Sequence, residues 1–198
     1  MIGLMILLAL GVYLAVSALV VWLSARWAKK RGRRGWVWGG VAAFAMYNLV
    51  FWDWIPTVAT HQYYCAKESG FWVYKTLDQW KAENPGVMET LVANKGAPSN
   101  YVGDAKNYTD TYFLNSRFNW VVKKNGPFPL NRWRREQQVV DSKSGEVLAR
   151  YVDFSTGNGN IGGDIELRFW LQRGHCVSGE LNQGMMYSFV HNVRGAEE

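Results

Sequence analysis

Residues 4–54 read LMILLALGVYLAVSALVVWLSARWAKKRGRRGWVWGGVAAFAMYNLVFWDW and contain two apolar segments joined by a short basic loop. The first segment, residues 4–23, has no charged residue, and the second, residues 37–54, has only Asp53. Because a helix rises about 1.5 Å per residue, about 20 residues cross the ~30 Å hydrocarbon core of a bilayer. We therefore predict a transmembrane helical hairpin over residues 1–55.

The basic loop, residues 26–35, indicates which way this hairpin faces. It holds six of the chain's 22 Lys and Arg residues, namely Arg26, Lys29, Lys30, Arg31, Arg33 and Arg34. Cytoplasmic loops of membrane proteins concentrate Lys and Arg, so we expect the loop inside the cell and both termini outside the cytoplasm. Aromatic residues at the ends of the segments are typical of membrane interfaces. These are Trp22, Trp27, Trp36 and Trp38 on the inner side, and Phe51, Trp52 and Trp54 on the outer side.

A cleaved signal peptide is the alternative interpretation of the first segment. Signal peptides have a basic region before an apolar core of about 7–15 residues. Here the apolar run is longer and the basic residues follow it. We therefore expect the segment to be retained as a span.

The net charge of +6 divides unevenly along the chain. From Ile55 onward, 16 Lys and Arg residues face 15 Asp and Glu residues, which leaves a net charge of +1. Nucleic-acid-binding domains concentrate basic residues on the domain itself. The sequence therefore argues against a nucleic-acid partner and predicts the lipid bilayer as the partner of the basic loop.

The two cysteines, Cys65 and Cys176, both follow the hairpin, on the side that we expect to be oxidising. Disulfides form and persist outside the cytoplasm. We predict a Cys65–Cys176 disulfide that closes a loop of about 110 residues, and on the chain-entropy model such a loop stabilises the fold by about 4–5 kcal/mol. The alternative is a pair of buried thiols.

Small residues recur at helical spacing in both spans, at Gly11 and Ala15 and at Gly39 and Ala43. Such faces let helix backbones approach closely in lipid. Asn48 is a polar residue inside the second span and needs a hydrogen-bond partner. We expect that partner on the other helix. Contact of these positions with another membrane subunit, or with a second copy of the chain, is the alternative.

Residues 56–198 predict an α+β domain with short helices and a mainly antiparallel sheet. Turn residues and alternating apolar patterns separate the elements. Helices are predicted at 57–69, 77–83 and 87–93, a long surface loop at 94–107, strands at 71–76, 112–114, 117–123, 134–141, 146–154, 165–171 and 185–193, and turns at 125–127, 142–145 and 156–163.

Several short motifs of this domain resemble a group of uncharacterised proteobacterial membrane-anchored proteins, in which a second cysteine also follows the hairpin. The motifs are Tyr64-Cys65, Gly70, residues 73–76, residues 139–141 and residues 144–150. The resemblance implies a bacterial inner membrane and a periplasmic domain, and the two predicted spans make the protein multi-pass. It carries no activity and no functional residue.

Four motifs invite a chemical interpretation. His61, Cys65, His175, Cys176 and His191 supply zinc-type ligands, but their spacing matches no known finger or ribbon, and oxidation would consume the thiols. A Cys-His nucleophile would lose its thiol in the same way. Residues 156–163 are rich in Gly and Asn but lack the Lys-Ser/Thr of a phosphate-binding loop. The basic run at residues 132–135 is interpreted as a solvated strand edge, with anionic headgroups or an acidic partner as the alternative.

The aromatic fraction is high, at 15% with 11 Trp. Aromatic residues fill cores and also line protein-binding surfaces, so both roles stay open for Tyr63, Tyr64, Phe71, Trp72, Trp80 and Trp120. No catalytic, cofactor or metal site is visible. We expect a non-enzymatic anchored binding or scaffold protein, an accessory or assembly subunit of an inner-membrane complex that contacts another membrane or periplasmic protein. An immunity or exclusion protein acting on a periplasmic effector or phage component, and a Cys-dependent enzyme, are the alternatives.

Overall fold

The structure is a computed structural model that describes residues 2–96, 98–157, 169–172 and 174–195. The chain divides into two compact units, Met1–Pro56 and Thr57–Glu198. Each unit is described on its own.

The first unit consists mainly of two helices, α1 (Ile2–Lys30) and α2 (Gly35–Phe51). Among the described residues, α1 is the one helix long and apolar enough to cross a membrane, while α2 is apolar but has 17 residues. The helix boundaries differ from the prediction. Lys29 and Lys30 end α1, so only residues 31–34 connect the helices, and α2 ends at Phe51 instead of Trp54.

The helices α1 and α2 pack against each other through small residues near the connection. A Cβ at Gly39 would lie 3.4 Å from Ala25 Cβ, and one at Gly35 would clash with the Ala25 carbonyl oxygen at 2.8 Å. Further along, the Tyr13 hydroxyl donates a hydrogen bond to the Met46 carbonyl. Ala28 is also buried between the helices, whereas many of the large apolar side chains, such as Leu4, Leu7, Phe44 and Leu49, are exposed.

The second unit contains most of α3 and a six-stranded antiparallel sheet with the strand order β1-β6-β5-β4-β3-β2. Its elements are α3 (Trp54–Lys67), β1 (Gly70–Val73), α4 (Leu77–Glu83), a 3-10 turn (Met88–Thr90), β2 (Ser99–Gly103), β3 (Tyr108–Phe113), β4 (Phe118–Phe128), β5 (Arg132–Asp141), β6 (Val147–Thr156), a 3-10 turn (Phe169–Leu171) and α5 (Gly179–Arg194). The predicted α+β class is confirmed.

Local chemistry explains two of these elements. Helix α4 begins with a capping box, in which Thr76 and Gln79 exchange side-chain and backbone hydrogen bonds. The β5–β6 hairpin turns at Gly145, whose φ of 74° suits a residue without a Cβ. Asp141 supports the turn by accepting hydrogen bonds from the backbone N–H groups of Lys143 and Ser144.

Helix α5 packs on one face of the sheet and closes the core. Its inward positions Met186, Val190 and Val193 are buried and recur at helical spacing. Opposite them lie buried side chains of the sheet, including Phe118, Val139, Leu148, Ala149 and Tyr151.

The prediction of a final strand at 185–193 is wrong, because this segment belongs to α5. It has enough branched and aromatic residues to favour a strand, but its apolar period is helical. Strand β2 lies within the predicted 94–107 loop and is exposed at each of its residues. The predicted turn at Asn125-Gly126-Pro127 lies inside β4 as an irregularity in its pairing with β5.

The remaining boundaries are close to the prediction or lie partly outside the described residues. The predicted helix at 87–93 is a single 3-10 turn. Residues 169–171 of the predicted 165–171 strand also form a 3-10 turn, and residues 165–168 lie outside the described residues.

Candidate functional site

The disulfide predicted between Cys65 and Cys176 is present in the structure. The two Cα atoms are 5.4 Å apart and the sequence separation is 111 residues. Helix α3 carries Cys65, and Cys176 lies three residues before α5. The bond therefore ties the segment that follows the hairpin to the segment that closes the core.

Two histidines lie beside the disulfide. His61, one turn before Cys65 on α3, places Nε2 3.6 Å from Cys65 Sγ and donates a hydrogen bond to the Phe154 carbonyl at 3.3 Å. The Nδ1 atom of His175 hydrogen-bonds Asp153 Oδ2. The second oxygen of Asp153 accepts from the backbone N–H of Cys176 at 3.0 Å.

Three of the residues considered as metal ligands come together here. Ligand atoms of His61, Cys65 and Cys176 lie within 4.8 Å of one another. However, zinc takes thiolate sulfur, and the two sulfur atoms are bonded to each other. His191 is exposed on α5 and is not one of this group. The same bond means that neither cysteine offers the thiolate that nucleophilic catalysis requires.

The Asp153–His175 pair was not predicted from the sequence. Asp153 is 1% exposed, whereas the His175 side chain is 46% exposed. The buried carboxylate fixes the orientation of the imidazole ring and leaves its other edge toward solvent. A carboxylate inside the otherwise apolar run Val152-Asp153-Phe154 was the signal that could have indicated a buried partner.

A second buried carboxylate, Asp141, holds together the opposite end of the sheet. It accepts hydrogen bonds from Trp80 Nε1 at 2.9 Å and from Arg117 Nε at 2.7 Å. Burial raises the pKa of Asp141, but the hydrogen bonds from Arg117, Trp80, Lys143 and Ser144 outweigh it and lower the pKa to about 2. Every contact of this carboxylate is within the fold, so we interpret it as structural.

The basic run at residues 132–135 does not lie at a sheet edge, because β5 is an interior strand. Arg132 stacks on the Tyr64 ring at 3.5 Å, and Arg134 pairs with Glu136 at 3.1 Å. Arg135 points to the opposite face, the one that α5 partly covers. The interpretation as a solvated strand edge is therefore wrong.

Beside α5, the same sheet face presents aromatic and polar side chains that we call the aromatic-polar face. It comprises Tyr101, Tyr108, Asp110, Tyr112, Trp120, Lys124, Arg135 and Gln137. The strand register places these residues on one face, with Tyr101 opposite Asp110 and Tyr112 opposite Trp120. Trp120 lies in the middle, 5.1 Å from the Tyr112 ring and 5.7 Å from the Tyr187 ring of α5.

Several buried polar atoms on the aromatic-polar face lack hydrogen-bond partners. Within the described ranges, these atoms are Asp110 Oδ1, Trp120 Nε1, Arg135 Nε and both amide atoms of Gln137. Gln137 is 0% exposed. Most buried polar atoms in proteins are paired, so such a concentration requires an explanation.

Titratable side chains on the aromatic-polar face influence one another. A hydrogen bond from Tyr112 to Asp110, together with burial, raises the pKa of Tyr112. Burial and the neighbouring Arg135 guanidinium lower the pKa of Lys124, which lies opposite Arg135 in the register. Opposite charges at Asp110 and Arg135 thus lie on two strands separated only by β4.

Gln137 was not singled out from the sequence, although a signal exists. In residues 133–139, alternate positions point to the α5 side, and Gln137 lies between Arg135 and the core residue Val139. A polar residue at a core position of a strand is an informative exception.

The residues predicted to make intramembrane contacts are not brought together in one place. Gly39 is buried against α1, whereas Gly11 would have nothing within 4 Å of a Cβ. Ala15 and Ala43 are exposed. Asn48 donates its amide hydrogen bond to the Phe44 carbonyl of its own helix at 2.7 Å, instead of reaching across to α1.

The aromatic residues left open by the sequence divide between the two roles. Trp80 is buried, and Phe71 and Trp120 pack against the core cluster. Tyr64 packs on Phe154, whereas Tyr63 and Trp72 are exposed. Of the Gly- and Asn-rich segment 156–163, only Thr156 and Gly157 belong to the described residues.

Comparison of the chain with protein-family models, with curated proteins and with solved structures finds no match.

Proposed function

We propose that this protein is a non-enzymatic binding or scaffold protein, anchored in a bacterial inner membrane by α1 and α2, with its second unit in the periplasm. In this role it serves as an accessory or assembly subunit of an inner-membrane complex. The Cys65–Cys176 disulfide, in a chain that begins with a long apolar helix, is the observation that carries the proposal.

The outward-facing side chains of the first unit support a lipid environment for both helices. Leu4, Leu7, Phe44 and Leu49 are each at least 68% exposed, which is costly in water and favourable in lipid. The 17 residues of α2 contain no charge and are at the lower limit for a span. The hydrogen bond within the helix satisfies the amide of Asn48, as a lipid environment requires.

The basic connection supports the proposed orientation. Arg31 and Arg33 stack on Trp27 and Trp38, at 4.0 and 5.5 Å from the ring centroids. Arg and Trp together are typical of the headgroup region, and excess positive charge is typical of the cytoplasmic side. Disulfides form and persist in oxidising compartments, so the Cys65–Cys176 bond supports the opposite side for the second unit.

Two exposed surfaces of the second unit suit a protein partner. Strand β2 is an uncharged edge strand, with Tyr101 and Val102 51% and 62% exposed. Unprotected edge strands pair readily with another chain. The outer side of α5 adds Leu181 and Met185, one helical turn apart and both exposed.

Site-specific photocrosslinking in membranes tests this proposal. A photoreactive residue at Val102 or Leu181 should yield a discrete crosslinked product with another membrane or periplasmic protein, and the same residue at Lys143 in the β5–β6 turn serves as the control. The charged variant Val102→Lys should weaken the product, because an edge lysine opposes strand pairing. A native protein that yields no crosslink from either position and runs alone after mild extraction contradicts the scaffold function.

A further inference from the structure

We propose that His61, Cys65 and Cys176 bind a zinc ion whenever the two cysteines are reduced, a function that goes beyond anchoring and protein contact. Every cysteine is synthesised as a thiol, so a reduced form of the chain precedes the disulfide. In that form, zinc joins helix α3 to the segment before α5, as the disulfide does after oxidation. This site does not depend on the membrane orientation of the protein.

The distances between the three side chains suit a single ion. Their ligand atoms all lie within 4.8 Å of one another. Zinc binds sulfur at about 2.3 Å and nitrogen at about 2.0–2.1 Å in tetrahedral geometry, which places a nitrogen and a sulfur about 3.5 Å apart. The two ring nitrogens of His61 are 3.6 and 3.9 Å from Cys65 Sγ. The nitrogen–sulfur separation is therefore already close to the one that zinc needs.

The two sulfur atoms need to separate for both to bind the ion. Two thiolates on one tetrahedral zinc lie about 3.8 Å apart. The Cα atoms of Cys65 and Cys176 are 5.4 Å apart, and each sulfur moves by rotation about its own Cα–Cβ bond. Reduction thus frees both sulfurs to surround an ion while the backbones that carry them stay in place.

The hydrogen bond of His61 leaves a ring nitrogen free for a metal. The Phe154 carbonyl only accepts hydrogen bonds, so His61 Nε2, 3.3 Å from it, carries the proton and Nδ1 carries the lone pair. Histidines that bind metals usually donate their other N–H to a backbone carbonyl or a carboxylate. The Phe154 carbonyl therefore selects the tautomer that zinc binding requires at Nδ1.

The donor set and its burial favour zinc over the common hard cations. Two thiolates and one imidazole suit zinc, whereas Mg²⁺ and Ca²⁺ prefer oxygen ligands. The two negative thiolates balance the charge of Zn²⁺, which suits a site where His61 and Cys176 are only 9% and 4% exposed. Cys65 is partly exposed, and three protein ligands leave the fourth position of the tetrahedron for water.

Oxidation converts the zinc site into the disulfide. The co-reactant is a second disulfide, such as that of a thiol–disulfide oxidoreductase. The two zinc-bound thiolates give it two electrons and form the Cys65–Cys176 bond, and Zn²⁺ leaves with its charge unchanged. Two protons from solvent complete the two thiols of the reduced co-reactant. The zinc ion and the disulfide therefore exclude each other, and one link between α3 and the α5 segment replaces the other.

Zinc titration of the reduced protein tests the site. Full-length protein in mild detergent is reduced with a phosphine without oxygen, freed of reductant and metal, and titrated with zinc against a chromophoric chelator. We expect one zinc ion per chain, and none for the oxidised protein. His61→Gln and Cys176→Ala should each weaken binding by more than about 100-fold, since loss of an outer-shell partner alone costs about 10–100-fold. His191→Ala, an exposed histidine on α5, should leave it unchanged.

Urea unfolding distinguishes a folded site from zinc held by an unfolded chain. A ligand raises the midpoint only if it binds the native state more tightly than the unfolded chain. Zinc should therefore raise the urea midpoint of reduced wild-type protein and leave that of Cys65→Ser/Cys176→Ala unchanged. Oxidised glutathione should then release the zinc as the disulfide forms.

Three outcomes would overturn the zinc site. The first is a failure of the reduced protein to bind zinc. The second is zinc binding by His61→Gln that is as tight as that of wild type. The third is a urea midpoint of the reduced protein that zinc does not raise. Any of these results leaves the anchoring and scaffold proposal intact, because crosslinking from Val102 and Leu181 tests that proposal separately.

Discussion

The two units of this chain use the same apolar residue types in opposite ways. In the first unit, Phe44 is 69% exposed and Leu7 is 68% exposed, while in the second unit Phe118 and Leu148 are 0% exposed. The first unit thus turns its apolar surface outward, and the second turns it inward around α5 and the sheet. This contrast supports the proposal that lipid surrounds the first unit and water surrounds the second.

The polar side chains of the two units also differ in the partners that they bond. Asn48 in α2 bonds within its own helix, whereas Asp141 and Asp153 in the sheet connect elements far apart in sequence. The second unit is therefore held together by polar links between distant elements, whereas the proposal assigns the first unit to lipid. The following predictions test that distinction, from the largest expected effect to the smallest.

Removing the disulfide should have the largest effect, and only on the second unit. For the double variant Cys65→Ser/Cys176→Ala we expect a loss of about 4–5 kcal/mol in the free energy of unfolding, because the bond closes a loop of about 110 residues. Urea unfolding followed by near-ultraviolet circular dichroism measures it. Reduced wild-type protein should unfold at the same urea concentration as the variant. A change below about 1 kcal/mol would mean that the bond adds little to the fold.

Truncating matched phenylalanines compares the two units directly. Phe118→Ala should cost about 3–5 kcal/mol, the usual loss for a buried aromatic ring. Phe44→Ala should leave the urea midpoint of the second unit unchanged, because the Phe44 ring faces outward. Similar losses from the two variants would contradict the assignment of separate solvents.

Acid should weaken the second unit through Asp141. The pKa of this carboxyl is about 2 in the fold, below the ordinary value of 3.8. The contribution to stability is therefore complete above about pH 4 and disappears as the pH falls toward 2, a loss of about 2 kcal/mol. Unfolding measured from pH 6 to pH 2 should show this loss in wild type and in Glu68→Gln, an exposed control. Asp141→Asn should be less stable at pH 6 and lose less on acidification.

Crosslinking should sharpen the description of the first unit. A Cβ at Gly39 would lie 3.4 Å from Ala25 Cβ, close to the separation found in disulfides. Ala25→Cys/Gly39→Cys should therefore form a bond with a mild oxidant in membranes, detected by mass spectrometry. Ala25→Cys/Gly40→Cys is the control, since Gly40 has nothing within 4 Å of a Cβ. Equal yields from both pairs would contradict the packing of α1 on α2.

The smallest effect is expected for Asn48→Ala. Its amide bonds only to the preceding turn of α2, so the crosslinking yield between positions 25 and 39 should stay within error. A marked fall in crosslinking yield would mean that the Asn48 side chain also supports the packing of α2 on α1.

Much of the architecture was predictable from local patterns. The α4 helix, the β5–β6 hairpin and the disulfide follow from a capping box, a turn glycine and the position of both cysteines after an apolar helix. The long apolar run likewise predicts α1, although its extension through Arg26 to Lys30 was missed, because basic residues continue a helix without interrupting it.

The errors arose where tertiary context decides. Residues 185–193 contain enough β-prone residues to favour a strand, and only packing of Met186 and Val190 against the sheet selects the helix. Strand β2 has no apolar alternation, because it is an exposed edge that β3 supports through backbone pairing. Residues 132–135 lie on an interior strand, and sequence alone does not give the order of strands in a sheet.

The candidate sites were less predictable than the fold. Asp153 meets His175, 22 positions away in the sequence, and Gln137 shares a face with Asp110 because β3 and β5 both pair with β4. No spacing rule in one sequence marks such pairs. The unusual positions of Asp153 and Gln137 within strands were the available signals.

Accessibility of two engineered cysteines tests the central claim most directly. Lys106→Cys lies in the exposed β2–β3 connection and Arg33→Cys in the exposed basic connection, while the native cysteines are bonded to each other. A membrane-impermeant maleimide applied to intact bacterial spheroplasts should label Lys106→Cys at once, and Arg33→Cys only after the membrane is permeabilised. Labelling of Arg33→Cys but not Lys106→Cys in intact spheroplasts would place the second unit in the cytoplasm and contradict the account.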